Sequence, residues 1–126
     1  MNVGSFLRIK GAICLIFAAV SLAVPAYILT WYGLDLDFVG LYFGQMFGAC
    51  FLGIGLICWF ASSAEASQLK SDMLLALAVA DTVGFAFTLY HQLTGPIGAL
   101  GWSTVVLWLL FAAGCWTYRF KGSAAA

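Results

Sequence analysis

Polar positions divide the chain into four apolar runs, at about 11–31, 38–61, 72–93 and 97–118. Each is close to the roughly 20 residues that an α-helix needs to cross a bilayer, and together they leave room only for short connections. The pattern therefore predicts an all-α integral membrane protein, a four-helix bundle running up-down-up-down as one transmembrane domain over residues 1–126.

The breaks between the runs carry the usual start and stop signals. Arg8 and Lys10 precede the first run, and Pro25 lies in its last third, where a kink is expected. Tyr27, Trp31 and Tyr32 then form an aromatic girdle at the membrane interface. This beginning has the outline of a signal peptide, with a basic start and small residues around Val24, Pro25 and Ala26, but the apolar stretch is long for one and reads as an uncleaved first helix. Gly33 to Asp37 make a tight connection, with Asp37 placed to cap the second helix. Residues 62–71 are the one clearly polar stretch, and Ser71 or Asp72 is expected to cap the third helix. Thr94-Gly95-Pro96 reads as a helix stop followed by a proline that opens the fourth helix. The last residues read as a frayed tail, and no internal repeat or low-complexity linker is visible.

Charge sets an expected orientation. Arg8, Lys10, Lys70, Arg119 and Lys121 all fall on one side of a four-span arrangement, and the opposite connections hold no Lys or Arg. By the positive-inside rule both termini and the 62–71 loop are cytoplasmic, while Asp35, Asp37 and the segment around His91 face outward.

Composition removes whole classes of function. The chain is 64% hydrophobic and 8% charged, whereas a soluble domain carries roughly 25% charged residues. The net charge is zero and the basic residues form no patch, so no nucleic-acid partner is expected. The lipid bilayer is the expected surrounding.

The second run contains Gly40-Leu-Tyr-Phe-Gly44-Gln-Met-Phe-Gly48, a doubled GxxxG, and continues to Gly53 and Gly55. Glycines four apart fall on one side of a helix, where a bare stripe lets another backbone approach closely. In the third run Asp81 sits near mid-span, where a charged carboxylate costs roughly 2.5–3.5 kcal/mol even on the permissive insertion scale. At 100° per residue, Leu77, Ala80, Asp81, Thr88 and His91 lie within about 60° of Gly84. The simplest arrangement packs the second and third helices through Gly40, Gly44, Gly48 and Gly55 against Ala80 and Gly84. Asp81 and Gln45 would point between them, with Thr88 and His91 further along the same face.

In one reading Asp81 is protonated interhelical glue; in another it binds a proton, a cation or a polar ligand group entering from the His91 side. His91 is the only histidine and has no motif around it. Cys14, Cys50, Cys58 and Cys115 lie within apolar runs without a CxxC pair and read as small buried hydrophobes. Neither a metal site nor a cofactor is expected. Ser103 and Thr104 have no base near them in sequence, so an enzyme is disfavoured. Trp108, near mid-span in the fourth run, is expected to face lipid or to be packed.

The stretch Ala80-Asp81, then Leu89-Tyr90-His91-Gln92-Leu93-Thr94-Gly95 and Ala99-Leu100-Gly101-Trp102, resembles small bacterial four-span membrane proteins grouped under a domain of unknown function. The likeness covers about the last third of the chain. It implies a fold and a bacterial inner membrane and carries no activity. The chain does not resemble small multidrug transporters, which place a glutamate in the first span, nor the membrane-bound glutathione transferase group with its charged signature helices. Two functions follow. One is an interaction or accessory protein that forms a homo-oligomer or joins a larger membrane complex; the other is a small transporter, channel or lipophilic-ligand binder that uses Asp81.

Overall fold

A computed structural model describes residues 2–35 and 37–123. Among them the chain forms five helices and no strand: α1 (Val3–Ala23), α2 (Pro25–Trp31), α3 (Phe38–Ala61), α4 (Gln68–Thr94) and α5 (Gly101–Ser123). α1, α3, α4 and α5 are each long and apolar enough to cross a membrane. The chain divides into two compact units, Met1–Ser63 and Ala64–Ala126, each a helical hairpin.

In the first hairpin the Asn2 side chain caps α1 by accepting from the Ser5 amide at 2.8 Å. The helix therefore starts well before residue 11, and Arg8 and Lys10 lie inside it, not ahead of it. The expected kink at Pro25 is a full break. Val24 leaves the helical region at φ −141° and ψ 50°, and Pro25 opens α2 at its first turn. Proline clashes with a helical residue before it and lacks the amide that would continue the ladder. α2 ends in a Schellman turn: Leu34 N donates to Leu29 O and Gly33 N to Thr30 O, both at 3.0 Å, and Gly33 takes φ 74°. Asp37 caps α3 as its position suggests, accepting from Gly40 N at 2.7 Å.

α1 and α3 run antiparallel. Positions that pair across the seam descend on one helix as they rise on the other: Gly4 against Ser62, Gly11 against Gly55, Gly48 against Ser21 and Leu22, Gly44 against Pro25 of α2. The glycine stripe of α3 is thus spent inside its own hairpin. A Cβ on Gly55 would lie 2.8 Å from Leu15 Cγ, and one on Gly48 2.9 Å from Ser21 Cβ.

In the second hairpin α4 begins one turn earlier than the expected Ser71 or Asp72 cap. Ser67 is the cap, its hydroxyl accepting from Lys70 N at 3.2 Å. Gln68 adds a side-chain bond to Asp72 Oδ1 at 2.7 Å across one turn. α4 stops at Thr94 with Gly95 extended, and Pro96 does not open the next helix. Residues 96–100 stay outside regular structure up to a turn at 99 and 100, and α5 starts at Gly101 through i to i+3 bonds such as Gly101 N to Gly98 O at 3.0 Å. α4 and α5 are antiparallel: Thr82 meets Trp116, Gly84 meets Trp108, and Gln92 meets the start of α5. Trp108 is packed, its ring so close over Gly84 that a Cβ there would sit 2.7 Å from Cε3.

Candidate functional site

Asp81 stands thirteen residues from either end of α4, counting 68 to 81 and 81 to 94. At 1.5 Å per residue that is roughly 20 Å of helix on each side, which is mid-membrane for a span of this length. Its side chain is 3% exposed. Cys115 of α5, fully buried, donates its thiol hydrogen to Asp81 Oδ2 across 3.4 Å. One residue on, Trp116 Nε1 donates to Thr82 Oγ1 at 3.1 Å, and the Thr82 hydroxyl donates in turn to Ala78 O at 2.7 Å. A thiol–carboxyl contact and an indole–hydroxyl bond thus join α4 to α5 side by side.

The buried face of α4 consists of Leu74, Leu77, Ala78 and Asp81. Its centre lies close to Asp81 itself, about 60° from Gly84. That shift relocates the sequence-derived residues. His91 is about 80° off this face and is exposed, its ring edge-on to Tyr90 at 5.2 Å between centroids. Gln92, only about 20° from Asp81 in projection, is partly buried and reaches Ile97 O and Gly98 O in the connection that leads to α5. Ala80 is exposed as well. Thr88 is partly buried, but its hydroxyl folds back onto its own helix, donating to Gly84 O at 2.8 Å and Phe85 O at 3.1 Å.

Gln45 belongs to the first hairpin and has a local task there. Its Nε2 reaches Leu22 O at 3.5 Å, a carbonyl in the last turn of α1 that has no helical amide to receive. The glycines Gly44, Gly48 and Gly55 face α1 and α2, as described, and Gly40 donates its amide to the Asp37 cap.

One buried group escaped the sequence reading. Lys10 is 1% exposed and lies on the inward face of α1 with Leu7, Gly11 and Cys14. The i, i+3, i+4, i+7 spacing of Leu7, Lys10, Gly11 and Cys14 was the available signal. It was hidden because a lysine near a chain start reads first as a membrane-flanking charge. Of the cysteines, Cys14, Cys58 and Cys115 are buried and Cys50 is exposed, and none of the four forms a disulfide. Among the described residues no three His, Cys, Asp or Glu side chains gather into a group that could hold a metal ion.

Four helices of membrane-spanning length define a small multi-pass membrane protein. No protein-family model, curated protein or solved structure matches the chain.

Proposed function

We propose that this membrane protein works by binding, with Asp81 as the group that takes up a proton or a polar ligand group inside the bilayer. The observation that carries this reading is the burial of Asp81 at mid-span in contact with the Cys115 thiol. A neutral pair can bridge two helices, as Thr82 and Trp116 do one residue away. An acid at the same level adds roughly 2.5–3.5 kcal/mol of insertion cost that a hydroxyl or amide would avoid. An ionisable side chain held inside a span is by default a site for a proton or a polar ligand group. The test is infrared difference spectroscopy on the chain in lipid, comparing native protein with Asp81→Asn and Cys115→Ser. The expected result is a carboxyl band that is absent in Asp81→Asn, shifts in Cys115→Ser and changes with bulk pH. A band that ignores pH altogether would reduce Asp81 to structural glue and defeat the proposal.

An accessory or oligomer-forming role is a second reading, and it draws on a different face from the GxxxG stripe. Tyr42, Met46, Cys50, Gly53, Ile57 and Phe60 line the side of α3 opposite the stripe, and all are exposed. A Cβ on Gly53 would meet nothing within 4 Å, so this face offers a notch to a further transmembrane helix. The bacterial inner membrane is proposed from the family likeness of the last third, and cytoplasmic termini from the one-sided placement of Lys and Arg.

A further inference from the structure

Asp81 marks a boundary along α4. Toward the start of the helix its face continues through Ala78, Leu77 and Leu74, which are 0%, 9% and 4% exposed. Toward the connection with α5 the helix has no buried residue at all, from Thr82 to Thr94. The acid is thus sealed along its helix by packed apolar side chains on one side only. On the other side its face continues through polar residues: Thr88 and Gln92, each about 20° from Asp81 in projection, are half-buried. α5 supplies the facing wall. Gly84 lies under Trp108 and Gln92 lies against Gly101, so Thr88, one turn from each, looks onto the stretch of α5 between 101 and 108, where Thr104 is half-buried. Successive turns on this face are roughly 6 Å apart, a gap that one bridging water spans.

Charge and width decide what can travel there. From 82 to 114 the chain holds no Lys, Arg, Asp or Glu, and its titratable side chains, Tyr90 and His91, are exposed. On α5, Cys115 meets the Asp81 carboxyl, and Tyr118 and Arg119 follow one turn further from the connection. No cation lines this stretch of the seam to draw an anion in. Nor is there width between the two helices for a hydrated ion or an organic group, since a Cβ on Gly84 would already be 2.7 Å from Trp108 Cε3. We propose that Asp81 exchanges a proton, and nothing larger, with the water at the α4–α5 connection, along Thr88 and Thr104 and past Trp108 as the narrowest point. This rests on the reading of Asp81 as an intramembrane binding group and adds the species and the route. Uptake forms the O–H bond of the carboxyl as a hydronium ion at the connection gives up its proton to the chain of hydrogen bonds; release is the reverse, and nothing is oxidised or reduced.

Two measurements on the full chain in lipid test the route. In a Cys50→Ala background, whose own reaction is subtracted, Thr88→Cys should react with a membrane-impermeant methanethiosulfonate faster than Leu77→Cys does. The second follows the Asp81 carboxyl band in heavy water, where the rate of its isotopic shift times the passage of the proton. Thr88→Val and Thr104→Val should each slow that shift about tenfold, the effect of one hydrogen bond on a barrier. Thr88→Ser should keep the native rate, and Trp108→Ala should quicken it. Native rates in both valine variants, or faster labelling at Leu77→Cys than at Thr88→Cys, would overturn the route. Loss of the carboxyl band on adding millimolar sodium at fixed pH would overturn the restriction to a proton. A carboxyl that neither titrates nor exchanges would defeat the binding reading itself, whereas one that titrates while both valine variants exchange at the native rate defeats the route alone.

Discussion

Gly11 and Gly55 meet backbone to backbone across the first hairpin: a Cβ on Gly11 would lie 3.0 Å from the Gly55 carbonyl oxygen and 3.1 Å from the Trp59 amide nitrogen. Neither atom can swing aside as a side-chain tip can. The two helices therefore stand as near as dispersion and Cα–H···O contacts allow.

Substitution by alanine should then rank the glycines by what their new methyl meets. Gly11→Ala presses on backbone atoms, and Gly55→Ala on the Leu15 side chain at 2.8 Å with the Leu15 amide nitrogen behind it at 3.1 Å; each is expected to cost about 1–3 kcal/mol. Gly48→Ala meets the side chains of Ser21 and Leu22 and should cost less, and Gly44→Ala, 3.8 Å from Pro25 Cβ, still less. Gly53→Ala enters open space and should fall within about 0.5 kcal/mol of native. Thermal unfolding in a single detergent, followed by circular dichroism, checks the order; equal effects at Gly53 and Gly55 would refute the seam. Gly53→Ile separates the two functional readings, because it should leave the hairpin stable and yet lower the cross-linked oligomer fraction if α3 receives a partner on its outer face.

The bond between Trp116 and Thr82 makes a cleaner probe of the second hairpin than Asp81 does, since both partners are neutral and each has a conservative replacement. Thr82→Val removes the acceptor and Trp116→Phe removes the donor. Each is expected to cost about 0.5–1.5 kcal/mol beyond any change in packing. In a double-mutant cycle the pair should show a coupling of similar size, measured by unfolding in the same detergent. Thr82→Ser should be near neutral. Strict additivity of the two substitutions would mean that the indole and hydroxyl do not meet in the folded protein.

Much of the architecture could be read from residue pattern alone, and the misses have specific causes. Asp37 was recognisable as a cap because a carboxylate just before an apolar run leaves few other roles. Pro25 was recognisable as a disruption, though propensity could not distinguish a kink from the break at Val24. The start of α4 was misplaced because Ser67 and Ser71 are both acceptable caps; Gln68 and Asp72, bonded to each other, place both inside the helix. His91 looked inward because the face was centred on Gly84, whereas Leu74, Leu77 and Ala78 centre it on Asp81 and bring Gln92 inward instead. The glycine stripe was legible as a packing surface, but a stripe contains no information on whether its partner is the span before it or the span after it. Asp81 was visible by its cost alone; Cys115, thirty-four residues away, carried no signal beyond being a cysteine in an apolar run.

Gln92 ties the α4–α5 connection together and in doing so dictates the residue at 101. Its Nε2 donates to Ile97 O at 3.4 Å and Gly98 O at 3.3 Å, two carbonyls of the turn that leads into α5. Its Oε1 is buried with no hydrogen-bond partner among the described residues and occupies the space that a Cβ on Gly101 would take, with the Ile97 side chain alongside. Gly101→Ala should therefore destabilise the chain by about 1–3 kcal/mol. Gln92→Leu should be close to neutral, because the loss of two long bonds is set against the removal of an unsatisfied acceptor, a defect that costs about 1–3 kcal/mol. Adding Gln92→Ala to Gly101→Ala should recover part of the loss and no more, since the Ile97 side chain still faces the new methyl. The remaining coupling between positions 92 and 101 is expected at about 0.5–3 kcal/mol, the range for residues in direct contact. Unfolding of the four-member cycle measures it, and hydrogen exchange at the amides of residues 97–101 should quicken in Gly101→Ala and slow again in the double variant. If the two substitutions add without coupling, the amide does not sit over Gly101 and the connection is held by something else.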